Sequence, residues 1–360
     1  MAKLLILYND DGFFAGSLKT NDPVRSMNLL KLKQYFEKKG HIAEVHCYSE
    51  ITFPSKYCGW YVMYASSEDA GLFYKDYLED ILLRLIVDGA VLLPSFDFFR
   101  AHHNKAYMEL LRTGFTSSTD EGSLDSIKTQ VFGGYDAFIK NMDFEHTAYP
   151  LVVKSSAGSG SSGVILAKNE QELIAAVKRV SKRSYRDLQH TFYKAKGFQL
   201  LKNFYRKLTK TLPVVYHQIS GKFIIQTFVP ELGNDFKVLV FGDKFYVLRR
   251  NNRDGDFRAS GSGKFTFPSE IDEICAVLSF AKFAYETIDM PLASLDIGFD
   301  GKKCNLIEFQ CLNFGPYTLQ FSEWYFIQTE AGWEKVVTES ELEQEYVNAI
   351  DLYLKRKNLQ

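Results

Sequence analysis

Over the first hundred residues, short apolar runs alternate with stretches in which apolar residues return every three or four positions. Leu4–Tyr8 reads as a buried strand closed by Asn9-Asp10-Asp11, and Ser26–Lys39 has helical spacing until Gly40 stops it. Ile42–Tyr48 and Tyr61–Ala65 are strands by the same reading. Tyr74–Val87 is an amphipathic helix, Gly89–Leu93 a short apolar run, and Lys105–Arg112 a helix before Gly114. Strand–helix repetition of this kind predicts a small parallel α/β domain over residues 1–115.

From Thr116 the pattern changes. Thr116–Ser123 is a loop by composition, and Tyr149–Lys154 is an apolar run ending in a cation. A Gly/Ser stretch follows, then the β-branched Val164-Ile165-Leu166 and a helix from Asn169 to Val180. Residues 116–225 form a second section. Within it, Lys178–Lys210 carries eleven Lys or Arg against one acid, Asp187, and reads either as a solvated helical hairpin with a packed aromatic face or as a site for an acidic polymer, nucleic acid or a membrane surface. Residues 226–360 form a third, strand-rich section. Phe223–Phe228 leads into it, Phe236–Phe241 and Phe245–Arg250 are strands, and Ser269–Thr287 is one long helix. Ala293–Phe299 and Asn305–Phe309 flank Asp300-Gly301, a hairpin turn signal, and Ser340–Lys355 is helical.

Composition narrows the class. With 46% hydrophobic and 24% charged residues, the 360-residue chain is globular. A net charge of −1 gives no whole-molecule pull toward nucleic acid. No run reaches the ~18–20 apolar residues that span a bilayer, and the N-terminal run is too short for a signal peptide. The five cysteines are odd in number and lack a C-x-x-C pair, so reduced core thiols are expected, and with them a cytoplasmic protein.

Two motifs carry chemistry. Gly158-Ser159-Gly160-Ser161-Ser162-Gly163 matches G-x-G-x-x-G, but a strand follows where a dinucleotide fold needs a helix. What remains is a hairpin flap whose backbone N–H groups suit phosphate oxygens, with Lys154 at its base. Farther on, Asp296 and Glu308 lie on strands paired across the Asp300-Gly301 turn, so both share a face with Gln310. Two carboxylates and an amide oxygen among apolar neighbours form a hard oxygen set suited to Mg²⁺ bridging ATP phosphates. Lys237, Arg249, Arg250 and Arg258 supply cations nearby; adjacent Arg249 and Arg250 point to opposite strand faces, so one of them enters a site.

In this order the residues resemble the ATP-grasp superfamily of carboxylate–amine ligases, nearest the ribosomal-protein glutamate ligases and glutathione synthetases. The likeness runs from about Gly89 to Pro316. It is carried by Lys105, by Lys154 before the flap and by Gln226-Thr227-Phe228-Val229-Pro230-Glu231. Asp235-Phe236-Lys237, Arg249-Arg250, Phe257-Arg258-Ala259-Ser260, Asp296 and Glu308-Phe309-Gln310 complete it. The resemblance implies an α/β architecture with α+β lids: an ATP-grasp fold whose pre-ATP-grasp domain is residues 1–115. A central lid subdomain at 116–225 and a C-terminal subdomain at 226–360 follow.

It also implies roles. Lys105 and Lys154 contact ATP phosphates under the flap of Gly158, Ser159, Gly160, Ser161, Ser162 and Gly163. Gln226, Phe228 and Val229 line the adenine hinge, and Glu231 meets the ribose. Lys237 and Arg250 neutralise phosphate, Arg258 holds the acyl phosphate or substrate carboxylate, and Asp296, Glu308 and Gln310 hold Mg²⁺. Lys237 stands where the family usually has Arg; Ser260 and Gln310 stand where it usually has Asn.

The implied reaction activates a carboxylate as an acyl phosphate and joins it to an amine, releasing ADP and phosphate. A phosphotransferase acting on a hydroxyl group and a non-catalytic nucleotide-binding regulator are the rival readings. Partners are small-molecule or peptide acids and amines; the substrates and self-association stay open. Acceptor contacts are expected from Asn9–Gly16, Ala65–Gly71 and Asn313-Phe314-Gly315-Pro316-Tyr317. His102-His103 is expected to face solvent.

Overall fold

Leu4 to Leu7 are wholly buried in β1 (Lys3–Tyr8), the run that opens the chain. Burial on both faces is what an unbroken apolar strand demands, and a parallel sheet supplies it. β2 (Ile42–Cys47) and β3 (Tyr61–Tyr64) flank β1 in parallel register, and β4 (Val91–Leu92) adds to β3, giving the order β2-β1-β3-β4. Helix Leu29–Lys38 buries Leu32 and Phe36 and starts at Asn28, whose side chain accepts from the Lys31 N–H. Helix Phe73–Val87 buries Leu78, Leu82 and Leu85. A short helix at Phe96–Ala101, for which the pattern gave no signal, buries Phe98 and Phe99.

This computed structural model describes residues 1–69, 71–115, 117–158, 163–186, 221–230, 232–253, 261 and 263–358, with 182–186 and 358 by backbone alone. The chain forms two units. One comprises Met1–His102, Leu110–Ile127 and Val229–Gln360, the other His103–Glu109 and Lys128–Phe228. The segment read as a loop after Thr116 holds two short antiparallel strands, β5 (Ser118–Thr119) and β6 (Gly122–Ser123). Polar loop chemistry and a two-residue ladder look alike in composition, which is why periodicity missed them.

The second unit is built on β7 (Thr129–Phe132), β8 (Leu151–Ser155), β9 (Val164–Ala167) and β10 (Phe223–Thr227), in the order β7-β10-β8-β9. Every pair is antiparallel, so the flap does join a hairpin. Helices Tyr135–Asn141 and Glu170–Arg186 belong to this unit; Phe138, Leu173 and Val177 pack with Phe132, Val153 and Phe223.

The first unit's large sheet comprises β11 (Asn234–Phe241), β12 (Lys244–Asn251), β13 (Phe265–Thr266), β14 (Leu292–Phe299), β15 (Cys304–Gln310), β16 (Trp324–Thr329) and β17 (Gly332–Val337), with β5 and β6 at one edge. Its order is β17-β16-β12-β11-β14-β15-β6-β5, and β13 pairs with β12. Helix Ile271–Ile288 buries Ile274, Val277, Leu278 and Ala281. A single core joins the parallel sheet to Leu239, Phe241, Tyr246 and helix Leu342–Asn358. Among the described residues no helix is long and apolar enough to cross a membrane.

Candidate active site

Antiparallel pairing of four neighbouring strands brings the charged residues together. β11 and β12 place Asp235 opposite Arg250, β11 and β14 place Lys237 opposite Asp296, and β14 and β15 place Asp296 opposite Glu308 and Ser294 opposite Gln310. Directly opposed residues share a face, and so do residues two apart, so one face of the sheet collects the whole set. A bulge after Asp296 shifts the register, leaving Ile307 as the extra residue of β15.

The Arg250 fork holds two acids. Its Nε and Nη2 donate to the two Asp235 oxygens at 2.6 and 2.9 Å, and Nη2 also reaches Asp296 Oδ2 at 2.9 Å. Lys237 Nζ stands 3.6 Å from Asp296 Oδ1, an ion pair beyond hydrogen-bond reach. Burial would push the Asp296 carboxyl up, but Arg250 and then Lys237 outweigh it and hold the group at about 2. Asp235 faces Arg250 across strands and feels Asp296 as a like charge; burial dominates and raises it to about 6. Burial alone would lower the Arg250 guanidinium, yet the two Asp carboxylates raise it and keep the cation charged. Arg249 points the other way, to Glu273 at 3.1 Å and over the Phe236 ring.

Metal capacity can be tested on Asp296. Its Oδ1 is buried and makes no hydrogen bond. The Lys237 ammonium offsets part of the cost of burying that oxygen from 3.6 Å, and a metal cation bound to it would offset the remainder. Gln310 donates its Nε2 to Glu308 Oε1 at 3.3 Å, which keeps the amide beside the carboxylate. Among the described residues no three His, Cys, Asp or Glu side chains converge as a metal cluster, so a cation here rests on two carboxylates and an amide oxygen. That donor set fits Mg²⁺, which takes few protein ligands and keeps water and phosphate oxygens.

The second unit carries the other expected nucleotide contacts. Lys105 opens helix Lys105–Arg112, and its N–H donates to the Ser156 carbonyl at 2.7 Å. Ser156 Oγ donates to Asn104 Oδ1 at 3.0 Å, tying that helix to the end of β8 just past Lys154. The hairpin closes at Ser155 N–H to the Gly163 carbonyl, 3.0 Å, and Gly158 and Gly163 have φ of 114° and 81°. These positive values favour glycine at both ends of the flap. Gln226 is buried, its Nε2 donating to Thr129 Oγ1 at 3.0 Å. Phe228 ends this unit and Val229 begins the return to the first. Ser159 to Ser162, Glu231, Arg258 and Asp187 to Lys210 of the basic segment lie outside the described residues.

Some residues depart from expectation. His102 is buried, not solvent-facing: its Nδ1 lies 3.0 Å from Ser66 Oγ, because helix Phe96–Ala101 carries it against the end of β3. Cys58 and Cys275 are exposed, whereas Cys47, Cys304 and Cys311 are core thiols as expected. Asp235 had no assigned role, although strand periodicity two residues before Lys237 would have found it.

No protein-family profile matches the sequence, and no curated protein matches it. Among solved structures, D-cycloserine synthetase is similar with a TM-score of 0.50 and 12% identity over 100% of both chains. A RimK-domain ATP-grasp protein from Sphaerobacter thermophilus has a TM-score of 0.43 and 13% identity over 87% of this chain and 92% of its own. D-alanine–D-alanine ligase from Bacillus anthracis has a TM-score of 0.44 and 10% identity over 100% of both. The first of these carries the likeness, and it is a likeness of fold.

Proposed function

We propose that this chain, which has the ATP-grasp fold, is an ATP-dependent carboxylate–amine ligase. A substrate carboxylate oxygen attacks the γ-phosphorus and ADP leaves. The amine nitrogen then attacks the acyl carbon, phosphate departs with the C–O electron pair, and the surplus amine proton passes to water. The observation that supports this reading is the buried Asp296 carboxylate, held by Arg250, faced by Lys237, opposed by Glu308 and with one oxygen unsatisfied. Asp296 and Glu308 suit a Mg²⁺ ion, and Lys237 beside them supplies positive charge for phosphate oxygens.

In this proposal Asp296, Glu308 and Gln310 hold Mg²⁺, which supplies charge neutralisation to the triphosphate when bound. Lys237 is a point charge for the transferring phosphoryl group. Arg250 holds Asp235 and Asp296 in place, keeps Asp296 ionised and offsets their charge beside the phosphates. Lys105, Lys154 and the backbone of Gly158–Gly163 contact phosphate; Gln226 positions the strand before the hinge, Phe228 and Val229 meet the adenine edge, and Glu231 meets the ribose. Arg258 steadies the acyl phosphate, which must be kept from water until the amine arrives.

An assay of ADP release across amino acids, peptides and uronic acids tests the reading. Release that requires both an acid and an amine is expected. A phosphorylated alcohol accumulating without amine would instead make the chain a phosphotransferase, and bound nucleotide with no ADP formed would make it a regulator.

A further inference from the structure

A buried arginine grips the acidic hairpin. Arg112 ends helix Lys105–Arg112, belongs with β15 to the first unit and is 3% exposed. Its Nη1 donates to the Leu306 carbonyl and its Nη2 to the Ile307 carbonyl at 2.9 Å. The guanidinium also lies 5.8 Å from the centre of the Phe309 ring, which Phe115 meets edge-on at 5.6 Å. Arg112 therefore touches β15 on both sides of Glu308.

The strand needs holding at that point. β14 covers one edge of β15, but on the other edge β6 pairs only with Cys304 and Asn305. From Leu306 onward that edge has no strand among the described residues, and its buried carbonyls need donors from elsewhere. The bulge falls at the same place: Ile307 is the extra residue, and a bulge re-aims the side chain beside it, here Glu308. A guanidinium presents its donors in a rigid planar fork, so one side chain satisfies two successive carbonyls and fixes the backbone between them. Strand alternation sends Phe309 to the face opposite Glu308 and Gln310. Arg112 thus holds the backbone and the reverse-face ring, and the acidic face is left to an ion.

We propose that Arg112 is a positioning residue for the metal. By locking the bulge it sets where the Glu308 carboxylate and the Gln310 amide stand relative to Asp296, and so selects Mg²⁺ over Ca²⁺. The inference rests on the ligase reading above, through its assignment of these three residues to Mg²⁺. Mg²⁺ demands near-ideal octahedral geometry at about 2.0–2.1 Å, whereas Ca²⁺ accepts irregular arrangements at about 2.3–2.6 Å. Ligands on a held strand meet the first demand; ligands on a bulge free to shift suit the second better. Lys at position 112 keeps a positive charge but loses the fork, so it separates geometry from charge.

Calorimetric titration of the full chain with a non-hydrolysable ATP analogue tests this without turnover, in Mg²⁺, in Ca²⁺ and in neither. In the parent chain Mg²⁺ should tighten analogue binding about tenfold more than Ca²⁺ does. In Arg112→Lys that advantage should shrink to about twofold or less, while the affinity without metal stays put. A general loss of packing would not produce that split. Equal gains from the two metals in the parent overturn the proposal, and this comparison uses the unmodified chain, so it holds even if the variant does not fold. A folded Arg112→Lys that keeps the parent's Mg²⁺ advantage overturns it too, as does one in which the gains from both metals fall alike. ADP release requiring acid, amine and Mg²⁺, alongside a variant that keeps the advantage, would sink the positioning role and keep the ligase. An advantage lost in the variant, with no ADP release from any acid–amine pair, would keep the role and sink the ligase.

Discussion

At the residue scale, the site is made of carboxylates forced into a sheet. Glu308→Gln keeps the shape of the side chain and removes its charge, so turnover should fall by roughly a hundredfold or more with an unchanged circular dichroism spectrum. Full activity in that variant would refute the metal assignment. Arg250→Met should act on stability instead. It strands Asp235 and Asp296 without their shared cation, a loss of about 3–5 kcal/mol in denaturant unfolding. Asp235 also gives a pH signature. Its folded value of about 6 lies above the ordinary 3.8, so the folded state holds the proton more tightly. Its contribution is therefore fully present below 3.8 and is lost as pH rises toward 6. Asp296 works in the opposite sense, being held at about 2, and loses its contribution as pH falls from 3.8. Urea midpoints between pH 4 and 6 should fall in the parent chain and flatten in Asp235→Asn. Asp296, Glu308 and Lys237 were legible because strand alternation and one turn signal put them on a face. The meeting of Asn9 and Asn313, whose Nδ2 groups both donate to the Ser66 carbonyl, was not, since nothing local in sequence tells two amides that they share a carbonyl.

At the element scale, the strands that carry the site are also those with the clearest pattern. β14 and β15 were readable from apolar alternation around Asp300-Gly301, and helix Ile271–Ile288 from its spacing. The β16–β17 hairpin and the β5–β6 ladder were not, the first for want of a periodic core face and the second because its strands are two residues long. Even so, β6 matters. A Cβ on Gly122 would lie 2.2 Å from the Cys304 carbonyl oxygen, where β6 pairs with β15. Backbone cannot yield there as a side-chain tip would. Gly122→Ala should therefore lower stability by about 1–3 kcal/mol in urea unfolding, whereas Gly301→Ala, with open space around its Cβ, is strained only by its φ of 88° and should cost less.

At the scale of the whole molecule, the first unit is drawn from three separate stretches of chain, which no reading of consecutive residues anticipates. Its core unites the N-terminal strands with the C-terminal helix, so the parallel sheet and the strands that carry the acidic face belong to one folded body. Nucleotide binding should report on that body: Mg-ATP at a hundredfold excess over its Kd should add about 2.7 kcal/mol to unfolding. The most direct test of the central claim is the affinity of a non-hydrolysable ATP analogue, measured with and without Mg²⁺ in the parent chain and in Glu308→Gln. Mg²⁺ should tighten binding about tenfold or more in the parent and scarcely at all in the variant. An equal gain from Mg²⁺ in both chains would contradict it.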